Sequence, residues 1–197
     1  SKTEEDIKNA YKKWAPYYEW HIVDMGWDAP RLCVDLLMNN LKCNTTNTDT
    51  KILDIAAGTG LVGAELKKKE YYYGKIHGID LSEEMLKKAE SKGCYDQLEV
   101  MNAENTSIVE STYDATICVG ALNFGHILPS ALNEFIRITK KDGLISFTTR
   151  MDYYTTLSKD VQEQLVQEKK WELVEKRHYN DEAVKDMEHI HWCYKKL

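Results

Sequence analysis

Short apolar runs alternate along this chain of 197 residues with stretches in which apolar residues recur every third or fourth position. The runs have the length of buried strands; the second pattern is that of helices buried along one stripe. Residues 3–13 predict a helix capped by Thr3, with Glu4, Glu5 and Asp6 in its first turn, and Pro16 ends it near Ala15. A second helix starts at Asp28-Ala29-Pro30, with Asp28 as N-cap, and carries Leu32, Cys33, Leu36, Leu37 and Leu41 as its stripe. The polar loop 44–50 leads into a strand at 52–55 and a helix from about Leu61. Next come a strand at 75–80, a helix capped by Ser82 and stopped by Lys92-Gly93, and a short strand at 98–101. A strand at 113–120, a helix from Pro129, a turn at Asp142-Gly143 and a strand at 144–149 follow. A helix near 156–169 presents Leu157, Val161 and Leu165. The runs 171–177 and 188–194 read as strands, and the segment between them is too short for a crossover helix, so they pair antiparallel.

This order predicts an α/β fold: a Rossmann-like, seven-stranded, mostly parallel sheet with an antiparallel last strand and helices on both faces. The chain reads as one domain, 1–197. A helical lid or cap (1–43) precedes the core (51–197), and both N-terminal helices are expected to cap the ligand site. The cap contains Tyr11, Trp14, Tyr17, Tyr18 and Trp20, a dense aromatic cluster for an otherwise polar segment.

The chemistry concentrates where the first strand turns into its helix, Asp54-Ile-Ala-Ala-Gly58-Thr59-Gly60-Leu-Val-Gly63. Glycines permit the tight turn and let a ligand approach the backbone, and the helix aims its free N–H groups at that ligand. Gly58-x-Gly60-x-x-Gly63 also satisfies the dinucleotide pattern, with Asp80 at the position of a ribose-binding acid. Asp54 separates the two readings. A carboxylate inside a buried strand is costly unless paired. It would repel a dinucleotide pyrophosphate but not the ammonium of S-adenosylmethionine.

At these residues, and at Gly78-Ile-Asp80-Leu-Ser82-Glu-Glu-Met85-Leu86, the chain resembles the class I S-adenosylmethionine-dependent methyltransferases. Within that class it is similar to the small methyltransferase-like proteins of the Williams–Beuren syndrome region type. The matching stretches are Tyr11-x-x-Trp14-Ala15-Pro16-x-Tyr18, Ala29-Pro30-Arg31-Leu32, Gly58-Thr-Gly-Leu-Val62, Val119-Gly-Ala-Leu122 and Ile138-Thr-Lys-Lys-Asp-Gly143 through Arg150. Ala57 stands where that group often has Cys, and Lys141-Asp142 replaces its usual Pro-Gly. The resemblance implies S-adenosyl-L-methionine as cofactor and S-adenosyl-L-homocysteine as product. It implies binding by Asp54, Ala56, Gly58, Thr59 and Gly60, with Asp80 on the ribose, Asn102 and Ala103 at the adenine, and Leu81, Met85, Val119, Trp14 and Tyr18 around them.

Methyl transfer from a sulfonium needs an aligned acceptor and excluded water, so no fixed catalytic set is demanded. Ligands of open α/β sheets lie beyond the C-terminal strand ends. Asn123, Phe124, His126, Arg150, Tyr153 and Tyr154 are therefore expected near the acceptor, with Tyr17 above it. His126 and Tyr18 are the candidate catalytic residues. For Arg150 a structural salt bridge competes with a role in binding a substrate carboxylate.

Composition narrows the partners. The chain is 43% hydrophobic and 29% charged with a net charge of −6, a poor match for a nucleic-acid backbone. No apolar run approaches the roughly 18 residues of a membrane span, and the polar N-terminus does not read as a signal peptide. Five widely spaced cysteines without a CxxC fit reduced thiols and a cytoplasmic location. His189-x-His191 lacks a third ligand, so no metal site is expected. A small-molecule acceptor and a monomer are the favoured expectations. A protein or peptide methyltransferase and a silent S-adenosylmethionine-binding protein are the alternatives.

Overall fold

The computed structural model describes residues 4–20, 26–41, 48–69, 72, 74–180 and 188–197. Cys43 and most of the 44–50 loop lie outside them. Helix α1 (Glu4–Trp14) is followed by a further helical turn at 18–20 and by α2 (Ala29–Asn40). Then come β1 (Lys51–Ile55), α3 (Leu61–Lys67), β2 (Lys75–Asp80), α4 (Glu83–Ser91), β3 (Gln97–Val100) and β4 (Tyr113–Leu122). A 3-10 turn, Pro129–Ala131, runs into α5 (Leu132–Ile138), and β5 spans Thr139–Arg150. Helix α6 (Met151–Tyr153) widens through a π turn, Tyr154–Ser158, into α7 (Lys159–Gln167), before β6 (Trp171–Asn180) and β7 (Glu188–Lys196).

The seven strands form one sheet in the order β3-β2-β1-β4-β5-β7-β6. Strands β1 to β5 pair in parallel, and β7 lies antiparallel between β5 and β6. The order reverses between β1 and β4, which opens a crevice beyond their C-terminal ends. Alternate residues of each strand feed two cores. Ile52, Ile76, Ala115, Ile117 and Leu144 face α2 and α3; Leu53, Ile55, Ile79, Cys118 and Phe147 face the other way. On that second face Phe147 stacks on Trp171, Trp192 and Tyr194 at 5.9–6.4 Å between ring centroids. Each buried aromatic adds ~1.5–3 kcal/mol by burial, and each ring pair ~1 kcal/mol more.

The structure corrects several expectations. Asp28 precedes α2, but its side chain makes no cap; its carboxylate pairs with Arg31, which also reaches Asp35. Helix α2 packs on β4, β5, β7 and α3, so it forms a layer of the sheet sandwich. Its buried set includes Val34 and Met38, whereas Leu32 and Leu41 are half-buried, because the helix is covered on two sides. Asp142-Gly143 does not begin β5. Residues 140–143 bulge within it, between the pairs Tyr113↔Thr139 and Ala115↔Leu144, and Asp142 takes a left-handed φ of 62°. The last helical stretch starts at Met151 and not near 156. Its inward residues are Tyr153, Ser158, Gln162 and Leu165, with Leu157 exposed. Polar Gln162 is buried because Tyr194 Oη donates to its Oε1 at 2.9 Å and Trp171 Nε1 donates to its carbonyl at 3.3 Å.

Candidate functional site

The turn after β1 winds through three left-handed residues, Ala56 (φ 58°), Gly58 (φ 55°) and Gly60 (φ 87°). Its backbone is tied by Ala57 N–H to Ile79 O and by Gly60 N–H to Ala57 O, both at 2.9 Å. Gly60 is the N-cap of α3 and supplies no side-chain cap. The first N–H groups of α3 therefore need partners from elsewhere.

Two carboxylates frame this turn. At the end of β2, Asp80 accepts from Gly58 N at 2.9 Å and from Ser82 N at 2.8 Å. Burial raises its pKa, against the pull of the Ser82, Gly58 and Leu81 amides. Inside β1, Asp54 is 1% exposed. Its Oδ2 accepts from the Tyr95 hydroxyl at 2.6 Å, while Oδ1 is buried without a partner. Burial, opposed by the Tyr95 hydrogen bond and reinforced by the charge of Asp80, pushes the Asp54 pKa up to about 8. Among the described residues no lysine, arginine or histidine forms an ion pair with either acid.

The N-terminal segment reaches this place. Helix α1 packs on α4, with Lys12 3.5 Å from Glu84. The Trp14 ring meets Tyr18 edge-on at 4.8 Å. Tyr18 lies close enough to Asp80 that burial, then Asp80 and Glu19, push its hydroxyl up to about 12. Burial works to raise the Glu19 pKa, but Lys92 holds it below the usual carboxylate range. Glu19 and Lys92 form an ion pair. Tyr17 and Trp20 stay 62% and 68% exposed.

The other expected residues are distributed as follows. Met85 is buried beneath the first turn of α4, where its N–H donates to Ser82 Oγ at 3.3 Å. Leu81 and Val119 are half-buried. Asn102 Oδ1 accepts from Glu104 N at 2.9 Å, which fixes the loop carrying buried Ala103. Beyond β4, Asn123 Oδ1 accepts from Phe124 N at 2.7 Å, and His126 N–H donates to Asn123 O at 3.1 Å. Phe124 is exposed and edge-on to Tyr153. Tyr153, expected to line the acceptor pocket, is buried. Its hydroxyl donates to Ile127 O at 2.7 Å, so its polar end is engaged in holding the loop after β4. Tyr154 packs on Trp192. Arg150 donates to both oxygens of Asp152, at 3.0 and 2.6 Å, the structural pairing weighed for it. His189 and His191 share one face of β7. Burial lowers the His191 pKa to about 3, and no group of three metal-binding side chains occurs among the described residues.

Three features of the site went unread in the sequence. Tyr95 bridges Asp54 and α3. The Trp27 ring comes within 3.0 Å of where a Cβ on Gly120 (φ +77°) would stand, which explains that glycine in β4. Glu19 pairs with Lys92 at the end of α4. Only Tyr95 carried a local signal: a lone aromatic in the polar turn between a helix stop and a short strand.

The sheet order, the glycine turn between β1 and α3 and the acid ending β2 are those of the class I S-adenosylmethionine-dependent methyltransferases, and the chain is similar to proteins of that class. Residues 52–143 match the methyltransferase domain family. The chain is 38% identical over 142 residues to human Methyltransferase-like protein 27, covering 71% of this chain and 56% of that protein. It is 31% identical over 98 residues to a Malonyl-[acyl-carrier protein] O-methyltransferase of Hamiltonella defensa, covering 50% and 37%. The chain therefore spans about half the length, or less, of these relatives. A protein solved in complex with the Haloferax volcanii Trm112 methyltransferase activator shares the fold, with a TM-score of 0.74 at 13% identity over 96% of both chains. S-adenosylmethionine is the cofactor of this class.

Proposed function

We propose that this protein transfers the methyl group of S-adenosylmethionine to a small organic acceptor. One observation carries the reading: two carboxylates frame the glycine turn without a basic partner, and one of them, Asp54, keeps a buried oxygen unpaired. Such a cradle fits a cationic nucleoside and disfavours an anionic dinucleotide. Asp54 would face the ammonium. Asp80, already an acceptor at the mouth of the turn, would take the ribose hydroxyls, and Gly58, Thr59 and Gly60 would admit the ligand against the backbone. Asn102 and Ala103 would bracket the adenine. Ala56, Leu81, Met85, Val119, Trp14 and Tyr18 would wall the site.

When bound, the cofactor supplies a methyl on a sulfonium whose leaving thioether is neutral. The protein's work is then to align the acceptor and exclude water. The 14–20 segment, rich in Trp and Tyr and tied to Lys92 by Glu19, would exclude water as a lid. Asn123, Phe124 and His126 in the loop after β4 would receive the acceptor, with His126 taking a proton where the acceptor carries one. Tyr18, half-buried and kept protonated, would act as a donor or as a wall. The aromatic lid and net charge of −6 support a small acceptor over nucleic acid. The four described cysteines are free, which supports a cytoplasmic setting. No helix among the described residues is long and apolar enough to cross a membrane.

A second reading, transfer to a protein or protein-borne group, draws support from the relative named for malonyl-[acyl-carrier protein]. A transfer assay with methyl-labelled cofactor against separate small-molecule, protein and RNA pools decides. Labelling of the small-molecule pool is expected. Labelling confined to protein moves the acceptor to the second reading, and labelling confined to RNA refutes both. Tight cofactor binding with no labelling in any pool makes the protein a silent binder.

A further inference from the structure

We propose that Tyr95 is a positioning residue of the cofactor site: its hydroxyl, by donating to Asp54 Oδ2 while accepting from Gly63 N–H, keeps Asp54 ionisable with Oδ1 left for a cationic group of the ligand. This inference rests on the cofactor reading above. Tyr95 sits in the turn between α4 and β3, far from Asp54 in sequence. Its ring is nevertheless driven into the seam between the glycine turn and β2. A Cβ on Gly63 would lie 2.4 Å from the ring, and one on Gly60 or Gly78 would lie 3.0 Å from it. Three glycines thus clear one slot, and the phenol fills it.

At the end of that slot the hydroxyl has two partners. It donates to Asp54 at 2.6 Å and accepts from Gly63 N at 3.0 Å. Gly63 is in the first turn of α3, where amides lack intrahelical partners and Gly60 gives no side-chain cap. The phenol therefore supplies the cap from outside the helix and joins α3 to β1 through one oxygen.

The polarity of this bridge matters. With its single proton directed to Asp54, the hydroxyl favours the carboxylate form. The groups acting on Asp54 from its other neighbours are Asp80 on β2, Cys33 on α2 and Cys118 on β4, while α3 contributes the Gly63 backbone. None of them is a cation. Tyr95 is the one side chain among them that stabilises the charged acid before ligand arrives. Without its hydroxyl, Asp54 would hold its proton more firmly, and a cationic ligand would meet a neutral acid.

The test is Tyr95→Phe, which keeps the ring and removes the oxygen. Carbon-13 NMR of the Asp54 carboxyl follows its titration in the ligand-free protein, and calorimetry follows S-adenosylmethionine binding from pH 6 to pH 10. The variant is expected to raise the Asp54 midpoint by about one pH unit or more. It is expected to weaken cofactor binding about tenfold at neutral pH, with the gap closing as pH rises above both midpoints. In the wild-type protein, the Tyr95 Cζ and Gly63 amide resonances are expected to follow the same midpoint, a measurement that stands even where the variant folds poorly. An unchanged Asp54 midpoint, an affinity loss equal at every pH, or Tyr95 and Gly63 signals that ignore the Asp54 titration would each overturn the proposal. A wild-type protein that binds no S-adenosylmethionine at any pH overturns the cofactor reading itself, and the carboxyl titration still decides whether Tyr95 sets the state of Asp54.

Discussion

Replacing Asp54 by asparagine should make the protein more stable toward alkaline pH, by an amount the structure sets. Asp54 is fully buried, and burial raises its pKa from 3.8 to about 8. Between those values the folded protein retains a proton that the unfolded chain releases. The stability linked to this proton is present in full below 3.8, falls as pH rises, and levels off above the folded value. The slope is ~1.4 kcal/mol per pH unit, so the interval from pH 6 to pH 8 costs the wild type ~2 kcal/mol. The substituted amide has no proton to lose and keeps the shape of the side chain; its oxygen can still accept from Tyr95. The stability difference between Asp54→Asn and wild type should therefore grow by ~2 kcal/mol in favour of the variant from pH 6 to pH 8, then flatten by pH 9. Denaturant unfolding of both proteins at pH 6, 7, 8 and 9 measures it. Parallel stability profiles would refute the reasoning, because they would mean that Asp54 ionises in the folded state as it does in the unfolded chain.

Asp80→Ala should weaken S-adenosylmethionine binding by ~2–3 kcal/mol, since it removes charged hydrogen bonds and releases Gly58 N–H; calorimetry giving wild-type affinity would take Asp80 out of the site. Glu19→Gln breaks the ion pair with Lys92 and should speed amide exchange in residues 14–20, and cofactor should slow it; equal exchange with and without cofactor, or full activity after deletion of residues 1–20, contradicts the lid. Glu134, held down to about 2 by Arg137 and, after the opposing effect of burial, by Thr106, predicts an acid-side effect. Glu134→Gln should lose ~1–2 kcal/mol at pH 7 after allowance for solvent around Arg137, a loss that fades as pH falls from 4.5 toward 2; a pH-independent loss would assign the effect to packing.

What the sequence determined by itself is what nearest neighbours along the chain decide. The apolar run of β1, the glycines after it and the start of α3 are contiguous, so their order is readable as strand, turn and helix. Ser82 capping α4 and the acid ending β2 are equally local, and the alternation of strands and helices fixes a parallel sheet ending in an antiparallel pair. The buried places of Asp54 and Met85 followed from period alone. Only the tertiary structure decided which groups meet across that frame. Residues 151–158 carry polar and aromatic residues without a clear stripe, yet they are helical, because Tyr153 is anchored to Ile127 and the following helix is held by Gln162 between Trp171 and Tyr194. Helix α2 has an amphipathic sequence that suits a cap or a sheet layer equally; its packing on β4, β5 and β7 makes it a layer. Tyr95 reaches Asp54 across 41 residues and Gly63 across 32. No periodicity encodes that meeting. It exists because the parallel strands bring the turn before β3 against the glycines of α3 and β2 on one face of the sheet, and a buried carboxylate must find its partner in space.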